Sequence, residues 1–161
     1  MVEEVIRAKR FEVVDDEGRP RVIVGAQAEA SGLMLLDPNG QSVAELAVSD
    51  ELGSTTLSLF DMRGSVRASL DLDQEGSPTL GLFDLAGEPR VSIGIAEGNP
   101  PVFDVTGPYG EARMSIEVDE EGLPSFVLMD GDGNDRVSIR IDRRGTPHLE
   151  FFDSDGRPVQ E

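Results

Sequence analysis

The tetrapeptide pattern Asp-x-x-Gly returns along this chain at an almost constant interval. It occurs as Asp15–Gly18, Asp37–Gly40, Asp61–Gly64, Asp84–Gly87, Asp130–Gly133 and Asp153–Gly156, and Gly107–Gly110 holds the remaining place with Gly for Asp. The steps between first residues are 22, 24, 23, 23, 23 and 23. A fixed period of this size marks a tandem array, in which each unit depends on its neighbours for cover. Full units begin at Phe11, Leu33, Leu57, Leu80, Phe103 and Phe126, and a partial unit begins at Leu149. Residues 1–161 therefore read as a single tandem-repeat domain.

Each unit holds two runs in which apolar residues alternate with polar ones. Leu57-Ser58-Leu59-Phe60 represents the first and Val137-Ser138-Ile139-Arg140-Ile141 the second. A period of two places alternate side chains on one face of a strand. Asp at the first position and Gly at the fourth favour a type I turn closed by a left-handed residue. A second Asp-x-x-Gly follows the second run at Asp73–Gly76, Asp119–Gly122 and Asp142–Gly145. The predicted fold is all-β, an antiparallel meander of tandem β-hairpins with about 13 or 14 strands. A sheet this wide leaves a large apolar face to cover. The expected form is rolled or solenoid-like around the Leu/Ile/Val face, with a homo-oligomer burying that face between subunits as the second arrangement.

The register carries a finer expectation. Leu57 and Leu59 share a face with Ala68, Leu70 and Leu72 if the Asp61–Gly64 loop has four residues and Phe60 pairs with Ser65. A three-residue loop would set Leu59 opposite Arg67. The Asp73–Gly76 turn needs the opposite parity, which a three-residue loop with a glycine bulge supplies. Two loop lengths are thus predicted to alternate.

Formal charge is −18, from 14 basic and 32 acidic residues. Such a balance argues against nucleic acid and against anionic membrane surfaces as partners. The absence of Cys excludes disulfides and thiolate metal sites but leaves the compartment open. No apolar run reaches transmembrane length, and Met1–Arg10 lacks a signal-peptide core. The location is left open between the cytoplasm and, if a leader has been removed, the cell surface or the exterior. Val2–Arg10 reads as a half unit whose charges suit an edge strand, and Pro158, Gln160 and Glu161 would blunt the opposite edge. Ala26–Ala30 and Val43–Val48 admit a helical reading, which the unbroken period overrides.

Four features carry candidate chemistry. Arg recurs three residues after the turn Gly, at Arg21, Arg67, Arg90, Arg113 and Arg136. In the four-residue register these lie on the polar face, diagonal to Phe60, Phe83 and Met129, as stacking partners. As an interaction surface, Arg67, Arg90, Arg113 and Arg136 would form a ladder toward an anionic polymer, which the net charge opposes. Asp130, Asp132, Asn134 and Asp135 resemble the first half of a calcium loop. The twelfth position, however, is Ile141 rather than Glu, and the turn already accounts for Asp130 and Gly133. Tyr109, in the turn that lacks its Asp, marks the strongest departure from the repeat and a place where binding can be grafted. His148 is the lone His, placed on the polar face beside Glu150, and reads as a surface residue. No catalytic constellation emerges, so neither an enzyme nor a cofactor is expected.

The F-D-x-x-G-x-x-R core, as in Phe60–Arg67 and Phe83–Arg90, resembles the Y-D-x-x-G-R hairpin repeats of large bacterial surface and toxin-shell proteins. Here Phe replaces Tyr, an R-V-S-I run follows the Arg, and the period is longer. The resemblance implies a β-shell, fibre or wall and no catalysis by the repeats. Two functions follow as expectations. The first is a non-enzymatic structural or interaction scaffold, of fibre, coat or surface type, whose partner is itself. The second is a ligand-binding module, for calcium or a carbohydrate, built on the Asp-rich turns or the Tyr109 loop.

Overall fold

The structure, a computed structural model, describes residues 5–26, 30–95 and 100–159. They form thirteen strands and, among the described residues, no helix: β1 (Arg10–Val14), β2 (Pro20–Ala26), β3 (Ala30–Leu36), β4 (Ser42–Ser49), β5 (Ser54–Phe60), β6 (Val66–Leu72), β7 (Pro78–Phe83), β8 (Pro89–Gly94), β9 (Val102–Thr106), β10 (Ala112–Val118), β11 (Pro124–Met129), β12 (Asp135–Ile141) and β13 (Pro147–Phe151). They follow one another in chain order through one antiparallel meander, the all-β architecture that the alternation predicts. Val43–Val48 lies within β4, whereas residues 27–29 of the other helix-compatible stretch lie outside the described residues. So do residues 2–4 of the leading half unit, together with Gln160 and Glu161.

The chain divides into two compact units, Met1–Gly76 and Ser77–Glu161. In the first, Phe11, Val24, Leu33, Leu46, Leu57 and Leu70 stand opposite one another in successive strand pairs. Two residues along, Val13, Val22, Leu35, Ala44, Leu59 and Ala68 form a second ladder. In the second unit the matching ladder runs Leu80, Ile93, Phe103, Ile116, Phe126, Ile139 and Leu149. Because successive side chains alternate between faces, each unit gathers its aliphatic residues on one face. The other face of the first unit carries the row Glu12, Ile23, Met34, Glu45, Ser58 and Ser69.

The predicted facing of Leu57 and Leu59 with Leu70 and Ala68 is present, but the loops that produce it differ from the expected ones. At Asp61 the loop has three residues, since the Asp61 N–H donates to the Ser65 carbonyl at 2.9 Å and the Gly64 N–H to the Asp61 carbonyl at 3.0 Å. Phe60 pairs with Val66, not Ser65, and Leu59 pairs with Ala68. Arg67 is the extra residue of a β-bulge, and that one residue restores the parity which a three-residue loop alone would lose. The same shift makes Arg21, Val43, Arg90, Arg113 and Arg136 bulge residues. The turns at Asp119 and Asp142 close with the same three-residue hydrogen bonding and no register shift. Loop length therefore does not alternate as predicted; the bulge does. A four-residue loop joins the paired Ser49 and Ser54.

A single layer offers its ladder residues cover only from neighbours in the same sheet. The sheet is not closed, and Leu57 and Ile139 remain 43% and 45% exposed. The expected closure over the Leu/Ile/Val face is accordingly not observed. Burial instead favours small side chains on the other face, where Ser58 and Ser69 are buried together with Ile23.

Candidate functional site

The Asp-x-x-Gly turns hold the recurrent polar chemistry of the chain. In eight of them, one carboxylate oxygen accepts two loop N–H groups. Asp61 Oδ1 accepts from Arg63 at 2.8 Å and Ser65 at 3.1 Å, and Asp130 Oδ1 from Asp132 at 2.9 Å and Asn134 at 3.0 Å. Asp15, Asp37, Asp84, Asp119, Asp142 and Asp153 repeat the pattern. The fourth residue takes positive φ, 77° at Gly64 and 80° at Gly133, where a side chain would be strained.

The second oxygen is left for a partner six residues on. Arg67 Nε donates to Asp61 Oδ2 at 2.9 Å, Arg90 Nε to Asp84 Oδ2 at 2.8 Å, and Arg136 Nη2 to Asp130 Oδ2. The bulge is what aims these guanidinium groups back at their own turn. Arg21, Arg90 and Arg136 also reach the next turn on the same side of the sheet, whereas Arg67 Nη1 is buried without a partner among the described residues. Arg21 Nε donates to the Leu36 carbonyl at 3.0 Å, Arg90 Nη1 to the Gly107 carbonyl, and Arg136 Nη1 to the Asp153 carbonyl. Each such Arg thus clips two consecutive hairpins together, a task that the planar guanidinium suits and a point charge does not. The structure gives these residues an ion-pair role. The signal was present in the sequence as the interval of six from Asp to Arg at 15/21, 61/67, 84/90 and 130/136.

The turn without its Asp uses a substitute. Glu111 Oε2 accepts the Tyr109 N–H at 2.8 Å, and Glu111 Oε1 accepts from Arg113 Nη2 at 2.6 Å. The carboxylate enters the loop from the fifth position, into space that a side chain at Gly107 would occupy. Tyr109 itself projects from the turn with 93% of its surface exposed. Its loop is conformationally the same as the others, with Gly110 at φ 84°.

These contacts set the ionisation of the turns. Asp130 is held at about 2, below the usual 3.8, first by the Asn134 N–H and then by the Asp132 N–H and Arg136. Asp142 is also held at about 2, first by the Thr146 N–H and then by His148, whose Nε2 lies 3.1 Å from Asp142 Oδ2. Asp61 is lowered foremost by Arg67. Carboxylates that accept several N–H bonds behave this way without a metal.

Among the calcium candidates, Asp130 has both oxygens engaged, by N–H donors and by a cation. Asn134 Nδ2 turns toward the same carboxylate at 3.3 Å, and Asp132 and Asp135 are exposed. Among the described residues no group of three acids or imidazoles is gathered in metal-binding geometry. A groove of about 480 Å³ lies beside His148, lined by Glu117, Arg140, Asp142, Arg143 and Arg144. Arg140 pairs there with Glu150 at 2.9 Å, and Arg143 pairs with Glu121. No protein-family model matches the chain, and no curated protein sequence does.

Proposed function

We propose that this chain is a non-enzymatic structural or interaction scaffold of β-hairpin repeats, a fibre, coat or surface-type element. One observation carries the reading: the recurrent Asp and Arg side chains, which would be the natural reactive or binding groups, are engaged in closing turns and clipping them to one another. Even the turn at Gly107, which lacks its Asp, restores the device through Glu111. Residues used in this way supply order along the array rather than a converging site. The high acidic charge suits a surface that stays dispersed while its apolar face is covered.

Ligand binding at the Tyr109 turn is the second reading, favoured by the full exposure of that ring. Calorimetric titration with calcium and with a panel of oligosaccharides, together with a general hydrolase screen, tests the pair. No saturable heat, no melting shift and no turnover is the expected result. Saturable binding abolished by Tyr109→Ala or Asp132→Ala would replace the scaffold with the ligand-binding module.

A further inference from the structure

We infer that the uncharged sheet face is the seat of a second copy of this chain, packed face to face as a two-layer sandwich. This names the partner of the scaffold proposed above and rests on that reading for its biological sense.

Charge placement is the first argument. The chain carries 32 acidic and 14 basic residues, yet none falls on either apolar ladder of either unit. The flanking positions on that face in the first unit are Lys9, Ala26, Ser31, Val48, Thr55 and Leu72, uncharged except for Lys9 at the outer edge. The opposite face holds Glu12, Glu45 and Asp71 in the first unit, and Asp104, Glu117 and Glu150 in the second. A chain so acidic keeps one face free of charge on every strand, and such a face must be covered.

Area is the second argument. With strands about 4.8 Å apart and alternate residues about 6.8 Å apart, three rows on the six strands of the first unit cover roughly 580 Å². The seven strands of the second unit give roughly 680 Å². The first figure lies at the top of the range that an ordinary monomer leaves bare, the second exceeds it, and each approaches the roughly 800 Å² per partner of a standard stable interface.

Relief is the third. Along the second ladder of the first unit, Leu35, Ala44, Leu59 and Ala68 alternate large with small. A surface of ridges and hollows repeating every second strand is complementary to a copy of itself turned about a two-fold axis. A lipid surface would need a basic rim to match anionic headgroups, and the rim here is the row of acidic turns.

Light scattering coupled to size exclusion, from about 1 µM to about 100 µM and at low and high salt, tests the inference. The expected mass is twice 17.3 kDa or an even multiple of it. The share of dimer should rise with salt, since two copies of charge −18 repel. Leu57→Lys with Ile139→Lys should give the 17.3 kDa species with an unchanged β spectrum, because both residues are already half-exposed in the single layer. The chain has no Cys, so single cysteines report cleanly. Ile139→Cys should be alkylated at least about tenfold more slowly at high than at low protein concentration, and its neighbour Arg140→Cys, on the other face, at one rate. A monomer at every concentration and salt overturns the inference, whether it stays in solution or floats with phosphatidylcholine vesicles. So does a dimer indifferent to the two Lys substitutions, or equal protection of the two cysteines. A monomer without ligand or turnover leaves the scaffold reading standing, whereas a dimer with turnover removes the scaffold and keeps the pairing.

Discussion

Glu111 and Gly107 share one side-chain site. The Glu111 carboxylate lies where a side chain on Gly107 would begin, and from there it accepts the Tyr109 N–H. The chain has moved the carboxylate four residues along and vacated its usual origin. Glu111→Ala should therefore lower the melting temperature by about 2–5 °C. In a Gly107→Asp background the same change should be nearly silent. The new Asp would cap the loop, and Glu111 would swing outward, as exposed Glu88 stands beside Asp84. Thermal melts of the four chains of this cycle measure the coupling, and additive effects would refute it.

Arg90 joins two turns, through Asp84 and through the Gly107 carbonyl. Lys in its place could keep one of these contacts but not both. Arg90→Ala should lower the melting temperature by about 3–8 °C, and Arg90→Lys should recover less than half of that loss. Arg63→Ala, an exposed residue of the neighbouring turn whose side chain has no such bridging role, serves as the control and should change little. Equal melting temperatures for Arg90→Ala and Arg63→Ala would show that the clips carry no stability.

Much of this arrangement was legible in the sequence. Alternation fixed the strands, since Val137-Ser138-Ile139 cannot present one apolar face as anything else, and the Asp-x-x-Gly period fixed their order. The bulge was not legible. Counting parity from Leu59 to Ala68 demands one extra residue, but sequence spacing does not say whether it sits in the loop or in the strand. Counting from Asp61 rather than Gly64 exposes the interval of six, and with it the ion pair that holds Arg67 out of register. Glu111 was hidden for a different reason: its role depends on a longer side chain reaching back into a gap, which no motif with Asp at the first position anticipates. The cover over Leu57 and Ile139 is not encoded in any single layer.

Two glycines in one loop should respond differently. Gly133 sits at φ 80° with open space around it, so the cost of Gly133→Ala is purely backbone and amounts to about 1–2 kcal/mol. Gly131 has no positive φ, and a Cβ there would lie 3.5 Å from Arg113 Nη1, an ordinary contact. Gly131→Ala should be neutral or stabilising by up to about 1 kcal/mol, because it restricts the unfolded chain. Urea denaturation of the two variants separates them, and equal losses would contradict the assigned turn.

Acid should act on this fold in two opposed ways. Asp130 and Asp142 are held at about 2 in the folded chain, against 3.8 ordinarily. The unfolded chain therefore takes up protons first as pH falls. The stability these carboxylates contribute is complete above about 4 and is lost progressively as pH falls through 2. Asp15, Asp37, Asp61, Asp84 and Glu111 are lowered too and act in the same sense. Net charge works in the other direction at higher pH. The charge of −18 at pH 7 shrinks toward the isoelectric point near 4.2, and self-repulsion shrinks with it. The melting temperature should rise as pH is lowered from 8 to about 5, then fall steeply below about 4. Added salt should raise it on the first limb by screening and do little on the second. Asp130→Asn with Asp142→Asn keeps an acceptor for the loop N–H groups but removes the titration, so its acid limb should be shallower while the upper limb is unchanged. Circular dichroism melts across this range decide the matter: a melting temperature still climbing at pH 2.5 would mean that repulsion, not the turns, governs stability in acid.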